Sequence, residues 1–129
     1  MEQTVFKLII AGSRVFNDYD ILRDKCDALL VLKNRDPNVV IEIVSGVANG
    51  ADKLGERYAR ERGFLVSQFK ADWDKHGKKA GYLRNVQMAE YADALVAFDV
   101  GTKGTAHMIQ IAKQRGMLVR VIKVLATVK

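Results

Sequence analysis

The chain has 129 residues, 49% hydrophobic and 28% charged, with a formal charge of +6 and one cysteine. That is too apolar for a disordered chain and the right length for one domain, expected over residues 1–129. No apolar run nears the ~20 residues of a membrane span, M-E-Q-T-V-F-K lacks the order of a secretory signal, and a lone Cys26 excludes an intrachain disulfide.

Strand and helix patterns alternate along the chain. Val5 to Ala11 is apolar apart from Lys7, as a buried parallel strand should be. Asn17, Asp18 and Asp20 offer caps and negative charge for a helix start. Leu22, Cys26, Leu29, Leu30 and Lys33 then recur at helical spacing, which makes Cys26 a buried thiol rather than a nucleophile. Asp36-Pro37-Asn38 breaks the chain, and β-branched Val39 to Val44 is the second strand. A helix is predicted from about Ala51 to Arg62, with Ala51, Leu54, Tyr58 and Ala59 on one stripe and Gly63 as its stop. Phe64 to Phe69 reads as the third strand, and Ala71 to Lys79 as a polar loop around Trp73 and His76. The next helix, about Ala80 to Tyr91, has Leu83, Val86, Ala89 and Ala92 at repeated intervals of three. Ala94 to Phe98 is the fourth strand. A last helix, about Thr105 to Arg115, turns Ala106, Ile109 and Ala112 inward and ends at Gly116, before a fifth strand from Leu118 to Val124. Such strand–helix–strand units predict an α/β domain: a parallel sheet of about five strands with helices on both faces, three layers in all.

Three turns rich in glycine and small polar residues follow predicted strands: Gly12-Ser13-Arg14, Ser45 to Asp52, and Asp99 to Thr105. Glycine lets backbone approach an anion, and the first N–H groups of a following helix point at it. If the strand order is 3-2-1-4-5, the turns surround one crevice at the carboxyl edge of the sheet. Gly12 is then expected to admit a ligand, Ser13 to offer a hydroxyl and Arg14 a bidentate cation. Gly46 and Gly50 shape the second turn. Ser45 and Asn49 can bond a sugar or phosphate, and Asp52 can hold a ribose hydroxyl or cap its own helix. Gly101 and Gly104 allow close approach in the third turn, Thr102 and Thr105 add hydroxyls, and Lys103 adds charge. Arg84 and Asn85 can reach the crevice from their helix, and Trp73 can stack on a base or close the core. Lys70, Lys75, Lys78, Lys79 and Arg84 form the densest basic group. His76 and His107 lack the neighbours of a zinc site, so no metal is expected.

Four blocks, G-S-R-V-F-N-D, S-G-V-A-N-G-A-D, A-D-W-D-K-H-G-K-K-A-G-Y-L-R-N-V-Q-M and G-T-K-G-T, fall in order between about residues 7 and 121. They resemble the YspA-type, cpYpsA-related branch of the SLOG superfamily, which groups DprA with the Lonely Guy enzymes. The resemblance implies a Rossmann-like fold, a pocket for a nucleotide or an ADP-ribose-like ligand, and the cytoplasm of a bacterium, or of the host if the gene is carried by a phage. Val100 departs from the paired glycines usual before the G-T block, Val47 from a common second glycine, and Asn49 from a common arginine. Arg84-Asn85-Val86-Gln87-Met88 echoes the R-K-x-x-M block of the Lonely Guy enzymes. Gly104-Thr105-Ala106-His107-Met108 echoes their G-T-x-x-E block, with Met108 in place of the glutamate. A thioether takes no proton, so the resemblance carries over phosphate binding better than base release.

Three functions compete on these grounds. The first is a nucleotide-binding domain acting as sensor, sequestering protein or component of nucleotide metabolism. The second is a nucleotide N-glycosidase or phosphoribohydrolase, for which Asp52, Asp72 and Asp99 are the placed carboxylates. The third is DprA-like binding of single-stranded DNA, which the charge allows but the sparse, uninterleaved aromatics disfavour. A membrane partner is not expected, and a homo-oligomer is left open.

Overall fold

The computed structural model describes residues 3–125. Five strands and five helices alternate: β1 (Thr4–Gly12), α1 (Tyr19–Arg35), β2 (Val39–Ser45), α2 (Ala51–Arg62), β3 (Leu65–Gln68), α3 (Trp73–His76), α4 (Ala80–Tyr91), β4 (Ala94–Asp99), α5 (Lys103–Gln114) and β5 (Leu118–Lys123). A 3-10 turn over Gly77–Lys79 joins α3 to α4. All four strand pairings are parallel, and the order is β3-β2-β1-β4-β5.

The central strands are apolar on both faces because both faces are covered. Side chains alternate along β1, so Leu8 and Ile10 face one layer while Ile9 and Ala11 face the other. The first layer packs Leu22, Cys26 and Leu30 of α1 and Tyr58 and Ala59 of α2 against Ile41, Ile43, Val96 and Phe98. The second packs Met88 and Ala89 of α4 and Met108 and Ala112 of α5 against Val44, Leu95 and Ala97. Cys26 is fully buried in the first layer, and burial pushes its thiol up to about 12. Among the described residues no helix is long and apolar enough to cross a membrane.

Three local expectations are corrected. Residues 71–79 are not an open loop: Asp72 accepts the Lys75 N–H at 3.1 Å, and that cap starts α3. On α4, Leu83 and Val86 face solvent, while Asn85, Met88 and Ala89 are buried. A strict spacing of three drifts by roughly 60° per step around a helix, so that stripe leaves the core face within two steps. On α5 the helix begins at Lys103, and its buried face is Thr105, Met108 and Ala112, leaving Ala106 exposed. Thr102 is its extended N-cap, so Lys103 and Gly104 belong to the first helical turn rather than to the loop.

Candidate functional site

The three turns meet at the carboxyl edge of the sheet. After β1, the carbonyl of buried Ser13 accepts the N–H groups of Phe16 and Ala51, each at 3.2 Å, which ties the first turn to the start of α2. This approach demands glycine at position 50: its φ is +78°, and a Cβ would lie 2.2 Å from the Ser13 carbonyl oxygen. At Gly12 a Cβ would lie 2.5 Å from the Phe98 carbonyl oxygen and 2.9 Å from the Ala51 Cβ. The space expected to admit a ligand there is filled by protein, and Gly12 serves the packing of turn against strand. Gly104 differs, with no atom within 4 Å of where its Cβ would be.

Between the turns and α4 lies a cleft of about 470 Å³. Of the residues singled out in the sequence, Gly12, Ser13, Arg14, Asp52, Trp73, Arg84, Asn85, Thr102, Gly104 and Thr105 line it. Gly46 and Asn49 line an adjoining cavity of about 340 Å³. Ser45, Gly50, Gly101 and Lys103 line neither. The Ser45 hydroxyl is spent inside the fold: it donates to Glu56 Oε2 at 2.6 Å and accepts the Val47 N–H at 3.1 Å. Gly101, with φ +97°, donates its N–H to Asp99 at 2.8 Å and so shapes the third turn from behind. Lys103 is exposed on the first turn of α5.

Helix α4 clips the other two turns together. Arg84 donates from Nη1 to the Gly46 carbonyl, and from Nε to Asn85 Oδ1 at 3.2 Å. The buried Asn85 amide in turn meets the Gly104 carbonyl at 3.4 Å and His107 Nδ1 at 3.2 Å. The Arg14 guanidinium lies over the Trp73 ring, 5.9 Å from its centroid. Among the described residues neither Arg14 nor Arg84 has a carboxylate within ion-pair distance. Burial holds Arg84 below its ordinary pKa, with Arg14 adding a like charge and Asp52 only partly offsetting it.

Asp52 is 6% exposed and accepts the Ala48 N–H at 3.1 Å, which closes the second turn. Burial raises its pKa to about 6, against the opposing pull of that hydrogen bond and of Arg84. Of the three carboxylates considered for catalysis, it is the one that lines the cleft. Asp72 is occupied in capping α3, and Asp99 in holding Gly101. The N-terminus of α5 has no side-chain cap, because the Thr102 hydroxyl donates to Thr105 Oγ1 at 2.9 Å instead. Its first N–H groups are therefore open beside Gly104. The sequence reading did not assign Lys78, Tyr82, Met88 and Met108 to the lining. Lys78 was visible in the basic group, Met88 and Met108 stood in the blocks that echo the Lonely Guy enzymes, and Tyr82 was given no role of its own.

Residues 6–76 match the profile of the YAcAr family, described as the YspA, cpYpsA-related SLOG family. The chain is 39% identical over 118 residues to the Gene 61 protein of Mycobacterium phage D29, covering 86% of this chain and 91% of that protein. DNA processing protein A (DprA) from Streptococcus pneumoniae has a similar fold, with a TM-score of 0.73 at 16% identity over 93% of this chain. The chain spans about half (51%) of that structure's length. The protein TM1055 aligns with a TM-score of 0.60 at 23% identity, over 92% of this chain and 72% of its own. At such identities the two structures speak to fold alone. The matched profile and the phage relative together place this chain in the YspA, cpYpsA-related SLOG family.

Proposed function

We propose that the cleft binds a nucleotide or a nucleotide-derived ligand, and that the protein acts as a sensor, a sequestering protein or a component of nucleotide metabolism. The observation that carries this reading is the partly buried Arg84, desolvated and, among the described residues, in ion-pair contact with no carboxylate, beside Arg14 and the uncapped N-terminus of α5. A desolvated guanidinium that Asp52 offsets only in part is costly, and a bound anion reduces that cost. Open helical N–H groups favour phosphate for the same electrostatic reason. Met88, Met108 and Tyr82 add an apolar wall against which a nucleoside can lie. Thermal-shift titration against mononucleotides, cyclic nucleotides, NAD and ADP-ribose tests the reading. A ligand at 100 times its Kd stabilises the fold by about 2.7 kcal/mol. Absence of a shift with every one of them defeats the proposal.

A second reading, hydrolysis of an N-glycosidic bond, is favoured by one observation. Asp52 lines the cleft with a pKa near that of a working acid or base, about 6. Incubation with the nucleoside monophosphates, followed by chromatography for free base, decides it. Base released by the wild type and not by Asp52→Asn supports hydrolysis, and no release from any of them removes it. DNA binding, suggested by the name of DprA, predicts an oligonucleotide affinity that falls steeply with salt.

A further inference from the structure

We infer that the cavity adjoining the cleft is a second anion subsite, and that the ligand is a nucleotide carrying another anionic group remote from its first phosphate. The inference rests on the nucleotide reading above and adds the ligand's class. The cleft and the cavity share Arg14, Ala48, Trp73 and Arg84, so they are inner and outer chambers of one groove. Arg14 over the Trp73 ring stands where the two join. The inner chamber has the open N-terminus of α5 and the methionine wall. The outer chamber has Lys70, the Asn49 amide and the backbone of residues 46–48.

Charge distinguishes the outer chamber. Its lining includes Arg14, Lys70 and Arg84 and no carboxylate. Among the described residues none of the three cations is in an ion pair. Exposed Arg14 and Lys70 stand beside the partly buried Arg84, and one anion between these like charges relieves every pair at once. The backbone there is also set at a cost. Val47 has φ +67°, a left-handed conformation disfavoured for a β-branched residue, and its N–H is held by Ser45 Oγ at 3.1 Å. Lys70 lines only the outer chamber, which makes it the discriminating position. A nucleoside monophosphate has one anionic group and leaves one chamber without a counter-charge. Nucleoside bisphosphates and 5′-phosphorylated dinucleotides have an anion for each.

The test is calorimetric titration of the full chain with the four nucleoside 5′-monophosphates and the corresponding nucleoside 3′,5′-bisphosphates. For the base that binds tightest, the bisphosphate is expected to bind at least tenfold more tightly than the monophosphate. In Lys70→Ala that ratio falls to within twofold, and in Lys70→Glu it inverts. Monophosphate binding with no gain for the bisphosphate, or a gain that survives Lys70→Glu, overturns the second subsite and leaves the nucleotide reading standing. Failure of both sets to bind overturns the second subsite, and it defeats the nucleotide reading as well when the cyclic nucleotides, NAD and ADP-ribose also give no thermal shift. An affinity that keeps rising from dinucleotide to decanucleotide also overturns the inference, because it marks a nucleic-acid track instead of two chambers.

Discussion

The outer face formed by α1 and α2 and the rim of the cleft use the same residue type in opposite ways. On the α1–α2 face, Arg62 forks onto Asp27 at 2.7 and 3.0 Å, and the Tyr58 hydroxyl donates to the same carboxylate at 2.6 Å. Arg57 and the Tyr19 hydroxyl share Glu61 at 2.9 and 2.6 Å, and Arg23 lies between Asp20 and Asp24. At the rim, Arg84 has a carbonyl and an amide, and Arg14 has an aromatic face. Guanidinium charge is satisfied inside the protein on one face and left open on the other. Placement of a counter-charge, rather than the count of basic residues, therefore separates cations that hold the fold from cations available to a guest.

The most direct way to break that contrast is to exchange the losses. Arg84→Ala is expected to weaken binding of the tightest mononucleotide about a hundredfold, the worth of a charge-assisted contact in a partly desolvated site. The thermal midpoint of the unliganded protein should change little, because relief of the Arg84 desolvation offsets the loss of its bonds to the Gly46 carbonyl and Asn85. Arg62→Ala should do the reverse, lowering the midpoint and leaving the affinity intact. Calorimetry and thermal melts on both variants check the pair. Arg84→Ala with wild-type affinity removes the distinction.

The two regions also differ in the sign of their pH dependence. The Arg62 fork, followed by the opposing pull of burial and then the Tyr58 hydroxyl, holds Asp27 below the usual carboxylate range. Its contribution is present above the unfolded-state pKa and is lost as pH falls through the folded one. Asp52 is raised to about 6 by burial, so the folded protein binds its proton more tightly than the unfolded chain does. Its contribution is present below the unfolded-state pKa of 3.8 and is lost as pH rises through about 6. Between about pH 4 and pH 7, the stability of Asp52→Asn should gain about 2 kcal/mol on the wild type. Asp27→Asn should lose ground on the wild type below that range, as pH rises from the lowered pKa of Asp27 toward 3.8. Urea denaturation at several pH values measures both, and parallel curves for wild type and Asp52→Asn refute the assignment.

Much of this was legible in the sequence, for identifiable reasons. The runs Val5 to Ala11, Val39 to Val44 and Ala94 to Phe98 are apolar apart from Lys7 and Glu42, as strands of a sheet covered on both faces should be, and their turns follow from where they end. The strand order that makes the turns neighbours is the one observed. What remained hidden depends on contacts distant in sequence. Ser45 reads as a ligand hydroxyl until Glu56 is seen to take it. Gly12 reads as room for a guest until Phe98 and Ala51 are found where its Cβ would be. The phase of α4 escaped because Leu83 and Val86 mimic a buried stripe, whereas polar Asn85 faces inward to join Gly104 and His107. The lining of the outer chamber has no local signal, since Lys70 follows β3 while Arg14 follows β1.

Smaller effects sharpen the comparison within the paired face itself. Tyr58 is buried, and its hydroxyl completes the Asp27 fork, so Tyr58→Phe should cost about 1.5 kcal/mol and lower the thermal midpoint by about 4 °C. Its cleft-side readout, mononucleotide affinity, should not move, because Tyr58 packs in the opposite layer of the sheet. Arg23 supplies the lower limit. It contacts Asp24 at 3.0 Å and Asp20 at 3.3 Å, yet the side chains of both acids are well exposed and bring neighbouring negative charges onto one helix surface. Solvent screening and the entropy of holding a long side chain offset most of such a pair. Arg23→Ala is expected to leave both the melt and the affinity within experimental error. A midpoint drop comparable to that of Tyr58→Phe would mean that pairing on this face stabilises through charge alone, and that the bond from buried Tyr58 is not what makes the Asp27 fork matter.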